Sequence, residues 1–215
     1  MQGQARCCEV LPLDLTLMDV KAVDLPEVPV TPGVSPIAPE RAKECAEGGS
    51  QMYLAKYAKA RTLPDLFEVV KDIVECETGR HRAGLMLGMV DLGIAPQGFV
   101  GAYFVVGGNA IVVNRQAMGM VESRSPELLK GYRFYILLHE YLHAVGIIDE
   151  EQCRAVAAKL AQRAFGGGHD VSRIASDFGA MFRYIVAPGY GFIPPEDARI
   201  ELIPGFDRSS VTYIQ

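Results

Sequence analysis

The spacing of apolar and polar positions changes several times along the chain, and each change predicts an element. Leu11, Leu13, Leu15 and Leu17 alternate with polar or small neighbours, the period of a strand. Pro26, Pro29, Pro32, Pro36 and Pro39 then predict an extended, polyproline-like connector and exclude a helix. From Pro64 onward Phe67, Val70, Ile73 and Val74 recur at helical spacing, with Gly79 as the stop. The run GLMLGMVDLG fits either a short helix or a buried strand. GAYFVV and AIVVNR flank Gly107, Gly108 and Asn109, residues that tolerate positive φ, which predicts a hairpin. Ser125-Pro126-Glu127 opens a helix that continues through LLKGYRFYILLHEYLHAV and stops at Gly146. A further helix runs from Glu150 to about Phe165, and Asp170 caps another through DVSRIASDFGAMFRYIV. The tail from Pro188 reads as irregular.

The chain has 215 residues, which fits an extended Pro-rich arm over 1–40 followed by one domain over 41–215. Its net charge of -5 and lack of a basic stripe argue against a nucleic-acid partner. Residues 92–114 carry no charge but hold Pro96 and five glycines, too many breakers for a membrane-spanning helix. The five cysteines are odd in number and include no C-x-x-C pair, so they read as free thiols rather than a disulfide framework. Free thiols, with no visible signal peptide, suggest a cytoplasmic location.

The string YILLHEYLHAVGIIDE changes this picture. Positions four apart lie on one helix face, so His139 and His143 can offer two imidazole nitrogens to one metal ion. Glu140 is placed to flank that ion and to carry a proton between an attacking water and a leaving amine. The surrounding Ile136, Leu137, Leu138, Tyr141, Leu142 and Val145 make this a buried helix. Two histidines and a glutamate buried there without a task would cost several kcal/mol unless paired.

The same residues resemble the active-site helix of the zincin metallopeptidases, and the hairpin ending AIVVNR is similar to the edge strands that precede it in that family. The resemblance spans roughly residues 99–181. It implies an α+β fold with a zincin-like core: a small twisted sheet, a backing helix and an active-site helix. It further implies a Zn2+ cofactor, His139 and His143 as ligands, and Glu140 as general base. HEYLHAVGIID is similar to the metzincin pattern, which would make Asp149 the third ligand. His169 stands as an alternative, as in compact zincins that bring a histidine after a spacer helix. Glu150 or Glu151 stands as another, as in gluzincins and their minimal forms. Met181 could resemble the methionine turn, although a helical core methionine fits its surroundings better. The expected function is hydrolysis of peptide bonds in a peptide or protein substrate, with no membrane partner. The alternative is a silent or latent protein with a closed metal site, in which Asp149 and His169 both join the two histidines, or in which the N-terminal arm or proline-rich tail plugs the cleft. Cys45 could in principle fill the open position, although an inert or exposed thiol is the more ordinary reading.

Overall fold

In this computed structural model the described residues are 33–47, 49–94, 99–182 and 199–208. They form a helix-rich mixed α/β fold with two small sheets. The expected strand over Leu11–Leu17 lies outside these residues, as do Pro26, Pro29 and Pro32.

The arm's last residues join the body. Strand β1 (Val34–Pro36) pairs antiparallel with β2 (Arg80–Arg82). Helix α1 (Pro39–Glu47) starts inside the stretch expected to be extended, because Pro39 sits in its first turn, where a missing N–H is tolerated. Helix α2 (Ser50–Lys59) follows, burying Tyr53 and Tyr57 one turn apart. Helix α3 (Leu63–Thr78) matches the predicted span. Thr62 caps it in a reciprocal box with Asp65, and Gly79 ends it at φ 67°.

The ambiguous GLMLGMVDLG segment holds strand β3 (Met86–Val90). The expected hairpin is present as β4 (Ala102–Phe104) and β5 (Ala110–Asn114). In the larger sheet the order is β4-β5-β3-β6, with β3 parallel to β5. Strand β6 (Glu201–Ile203) pairs antiparallel with β3, so the tail read as irregular contributes a strand. Helix α4 (Arg115–Arg124) has no counterpart among the elements expected from the sequence. Ser125-Pro126 opens a 3-10 turn (Pro126–Leu128), and this passes directly into α5 (Leu129–Ala144). Helix α6 (Glu150–Phe165) matches its prediction. The last predicted helix is instead two, α7 (Asp170–Ser176) and α8 (Phe178–Phe182), broken at Asp177. Met181 lies within α8.

Helix α5 is the centre of the molecule. Every residue from Phe134 to Ala144 is buried, and α3, α6, α7 and strand β4 all pack on this helix. A helix that is apolar nearly all round has to be enclosed in this way. Gly101, beside β4, permits the close approach: a Cβ there would meet the Tyr132 hydroxyl at 2.8 Å. Arg82 braces the far end of α5. It is 6% exposed, and its guanidinium donates to the carbonyls of Ala144 and Gly108.

The cysteines depart from expectation. Cys45 of α1 and Cys76 of α3 form a disulfide, with Cα atoms 5.1 Å apart, so Cys45 is not available to plug a metal site. Disulfides persist in oxidising surroundings, which removes the free-thiol argument for a cytoplasmic location. No helix among the described residues is long and apolar enough to cross a membrane. The bond closes a loop across a sequence separation of 31. Chain-entropy loss for that length predicts that reduction, or Cys45→Ser, costs about 3–4 kcal/mol and lowers Tm by about 10 °C. A thermal melt with and without reductant checks this; an unchanged Tm would refute it.

Candidate metal centre

The site is built where α5 ends and α6 begins. Helix α5 closes with Ile147 N–H donating to the Leu142 carbonyl and Gly146 N–H donating to the His143 carbonyl. This is the Schellman arrangement, and Gly146 supplies its left-handed residue at φ 103°. The turn has two consequences for the histidines. It brings the Ile147 carbonyl back to within 2.6 Å of His143 Nδ1. It also starts α6 alongside α5, with Glu150 as its first residue.

His139 and His143 lie one turn apart on α5 and are 1% and 5% exposed. Their Nε2 atoms face each other at 3.1 Å. Glu150 reaches across from α6, placing Oε2 3.3 Å from His139 Nε2 and Oε1 3.2 Å from His143 Nε2. Both Glu150 oxygens are buried, and neither has a well-formed hydrogen bond among the described residues. Cys153, one turn further along α6, is free and fully buried. Its sulfur lies 3.6 Å from His139 Nδ1 and donates to the His139 carbonyl at 3.3 Å. Burial, with the nearby charges of Glu140 and Glu150, pushes the Cys153 thiol pKa well up. His139, His143 and Cys153 form a buried cluster that could hold a metal ion.

The chain matches no protein-family model, no curated protein and no solved structure.

The expected third ligands fall elsewhere. Asp149 is exposed, and its carboxylate accepts from Gln152 N–H at 2.8 Å, capping α6. A carboxylate turned back into its own helix in this way does not face the imidazoles. His169 caps α7, with Nδ1 accepting from Val171 N–H at 3.2 Å, and its ring stacks on Phe165 beside Tyr57. Glu151 is exposed on α6. Of the carboxylates and histidine weighed from the sequence as third ligand, the structure brings Glu150 to the imidazole pair. Sequence reasoning missed Cys153 as a member of the cluster. Its position three residues after Glu150, on the same face of a helix, was the available signal.

Electrostatics at the cluster follow from these contacts. Burial alone would lower the His143 pKa, but contact with Glu150, the charge of Glu140 and the Ile147 carbonyl together raise it. Burial alone would raise the Glu150 pKa, yet contacts with His139 and His143 hold it well below the usual carboxylate range. The raised histidine therefore contributes stability fully present below its unfolded value of 6.5, and lost as pH rises through its folded value. The depressed glutamate contributes stability present above 4.5 and lost as pH falls through its folded value. Between those two pH values the metal-free pair is intact. A metal ion must displace the proton from His143, so affinity should fall with acidity from a pH above 6.5 downward. Titration calorimetry at about pH 8 and about pH 6 should show roughly a tenfold loss per unit below that onset. A pH-independent affinity would contradict the assignment of His143 as a ligand.

Proposed function

We propose that the protein is a zinc-dependent peptidase in which His139, His143 and Glu150 hold the metal and Glu140 is the general base. The observation that carries this reading is the Glu150 carboxylate set against both Nε2 atoms. Donors bound to one tetrahedral zinc at about 2.0–2.1 Å stand about 3.3 Å apart. The two Nε2 atoms here are 3.1 Å apart, and each faces its own oxygen of the Glu150 carboxylate, at 3.3 Å from His139 and 3.2 Å from His143. The two Glu150 oxygens lack well-formed hydrogen bonds, with the Arg154 guanidinium 3.6 Å from Oε2, and a cation between the imidazoles would satisfy them. Two neutral imidazoles and a carboxylate make up a donor set suited to zinc, and such a set leaves one position open for catalysis.

The resemblance to zincins is kept, but its branch changes. The glutamate comes from the helix after the H-E-x-x-H helix, as in gluzincins, and Asp149 of the metzincin-like string serves as a cap. A small sheet, a backing helix and the buried α5 agree with a zincin-like core. Zinc, when bound, supplies Lewis-acid polarisation of a carbonyl and makes water nucleophilic near neutral pH. Glu140, buried next to His139 on α5, takes the proton of the attacking water and passes it to the departing amine nitrogen. Among the described residues strand β4 is an edge of the sheet and packs on α5, so an extended peptide can add there as a further strand.

A second reading, a metal site closed to substrate, draws on the near-complete burial of His139, Glu140 and His143. One experiment separates the two. Bound zinc is counted in the purified full chain, and a mixed peptide library is then incubated with it, with chelator, and with chelator followed by zinc. The peptidase reading expects one zinc per chain and cleavage that disappears and returns. One zinc without cleavage favours the closed site, and no zinc sinks both.

A further inference from the structure

Resting on the zinc site proposed for His139, His143 and Glu150, we infer that Cys153 is a positioning residue for His139: its sulfur accepts the Nδ1 hydrogen, which leaves the Nε2 lone pair directed at the metal, and it is not itself a ligand. Hydrogen placement decides this. A neutral imidazole carries one ring hydrogen, and the nitrogen without it is the one that can coordinate. For His143 the assignment follows from its partner. A carbonyl has no hydrogen to give, so Nδ1–H donates to Ile147 O and Nε2 is left bare. At His139 the neighbour of Nδ1 is the Cys153 sulfur, 3.6 Å away.

A thiol can donate or accept, and here a second contact decides which. The Cys153 sulfur also lies 3.3 Å from the main-chain oxygen of His139. That oxygen can only accept, so the thiol hydrogen goes to it. The lone pairs of the sulfur then face Nδ1 and can accept its hydrogen once Nε2 holds the metal. Without a metal, Nε2–H can instead donate to the bare His143 Nε2 at 3.1 Å or to Glu150 Oε2 at 3.3 Å, so the contact with sulfur selects the ring form of the loaded site.

The docking of α6 has the same logic. Glu150 and Cys153 are three residues apart and share a helix face, so one face of α6 reaches both nitrogens of the His139 ring. Glu150 addresses Nε2 at 3.3 Å and Cys153 addresses Nδ1. The ligand atoms of His139, His143 and Cys153 lie within 4.8 Å of one another, so a sulfur ligand is the competing arrangement. The contact of the sulfur with Nδ1, while Glu150 faces Nε2, favours the positioning role, and the cobalt spectrum separates the two.

Three measurements on the full chain test this. In zinc-loaded protein, nitrogen-15 shifts of the His139 imidazole should report metal on Nε2 and a hydrogen-bonded Nδ1–H, and Cys153→Ala should move the Nδ1–H signal to that of a ring without this acceptor. By chelator competition, Cys153→Ala should bind zinc about 10–100-fold more weakly, with Cys153→Ser recovering most of the loss, because a hydroxyl can make both contacts. Affinities are compared at a temperature where melts show every variant folded, so loss of packing alone does not count as support. With cobalt(II) in place of zinc, the wild type should show no sulfur-to-cobalt charge-transfer band. Such a band, zinc on His139 Nδ1, or unchanged zinc affinity in Cys153→Ala overturns the inference even where the wild type binds zinc. If the wild type binds no metal, the inference falls together with the peptidase reading.

Discussion

Under the proposed peptidase reading, Glu140→Gln is expected to bind zinc as the wild type does and to lose peptide turnover by about 10²–10⁴-fold, the contribution of a positioned general base. Glutamine has nearly the same shape, so the buried position beside His139 is filled without a cavity. What disappears is the ability to take up a proton. The contacts of Glu150 with the two imidazoles are made without Glu140, so the proposed ligand set is retained in the variant. A secondary effect has a definite sign. The charge of Glu140 contributes to the raised pKa of His143, so removing it should move the acid-side loss of zinc affinity to lower pH. Steady-state hydrolysis of a cleaved library peptide, with zinc counted in the same samples, checks both parts. Wild-type turnover in Glu140→Gln would remove Glu140 from the mechanism.

The sequence was most informative where local pattern and burial coincide. Helix α5 could be read because its apolar residues surround the H-E-x-x-H string on all sides, and a helix of that kind has only one place in a fold. The hairpin β4–β5 and helix α3 carried their own turn and cap signals. Helices α1 and α2 carry little burial signal: α2 buries only Tyr53 and Tyr57, and its remaining side chains mix polar residues with Met52, Leu54, Ala55 and Ala58, so no clean apolar face stands out. Helix α4 holds Gly119 in its interior, which weakens a helical reading. Strand β6 exists through pairing with β3, more than a hundred residues away in the chain, and no local pattern encodes that. The Cys45–Cys76 bond likewise depends on α1 lying across α3, where Arg41 pairs with Asp72 and Glu75.

Asp149 and His169 share one physical reason for standing outside the cluster. Each begins a helix, and a helix start has backbone N–H groups without partners. A short side chain with an acceptor at that position satisfies one of them, and both residues do so. A helix that starts at Glu150 already makes Asp149 its cap. Glycine and spacing located the turn; the cap determined which acid was free to leave it.

That difference gives the sharpest expectation for the metal. Glu150→Ala should weaken zinc binding by on the order of 100–1000-fold, whereas Asp149→Ala and His169→Ala should leave it within about threefold. Structural zinc sites bind with roughly 10–16 kcal/mol shared over four ligands, so one ligand carries about 3–4 kcal/mol, and each 1.4 kcal/mol is tenfold. Glu150→Ala should also lower the His143 pKa, since its largest raising influence is the Glu150 contact. Asp149→Ala removes a helix cap and should cost about 1 kcal/mol of stability, without touching either Nε2 atom. His169→Ala similarly loses a cap and its stacking on Phe165, so it should lower Tm but leave zinc in place. The three variants are compared by chelator competition and thermal melts on the same preparations. Stability and affinity should separate: Asp149 and His169 affect the first, Glu150 the second. Strong zinc loss in Asp149→Ala with full retention in Glu150→Ala would return the third ligand to the metzincin-like position and refute the site proposed here.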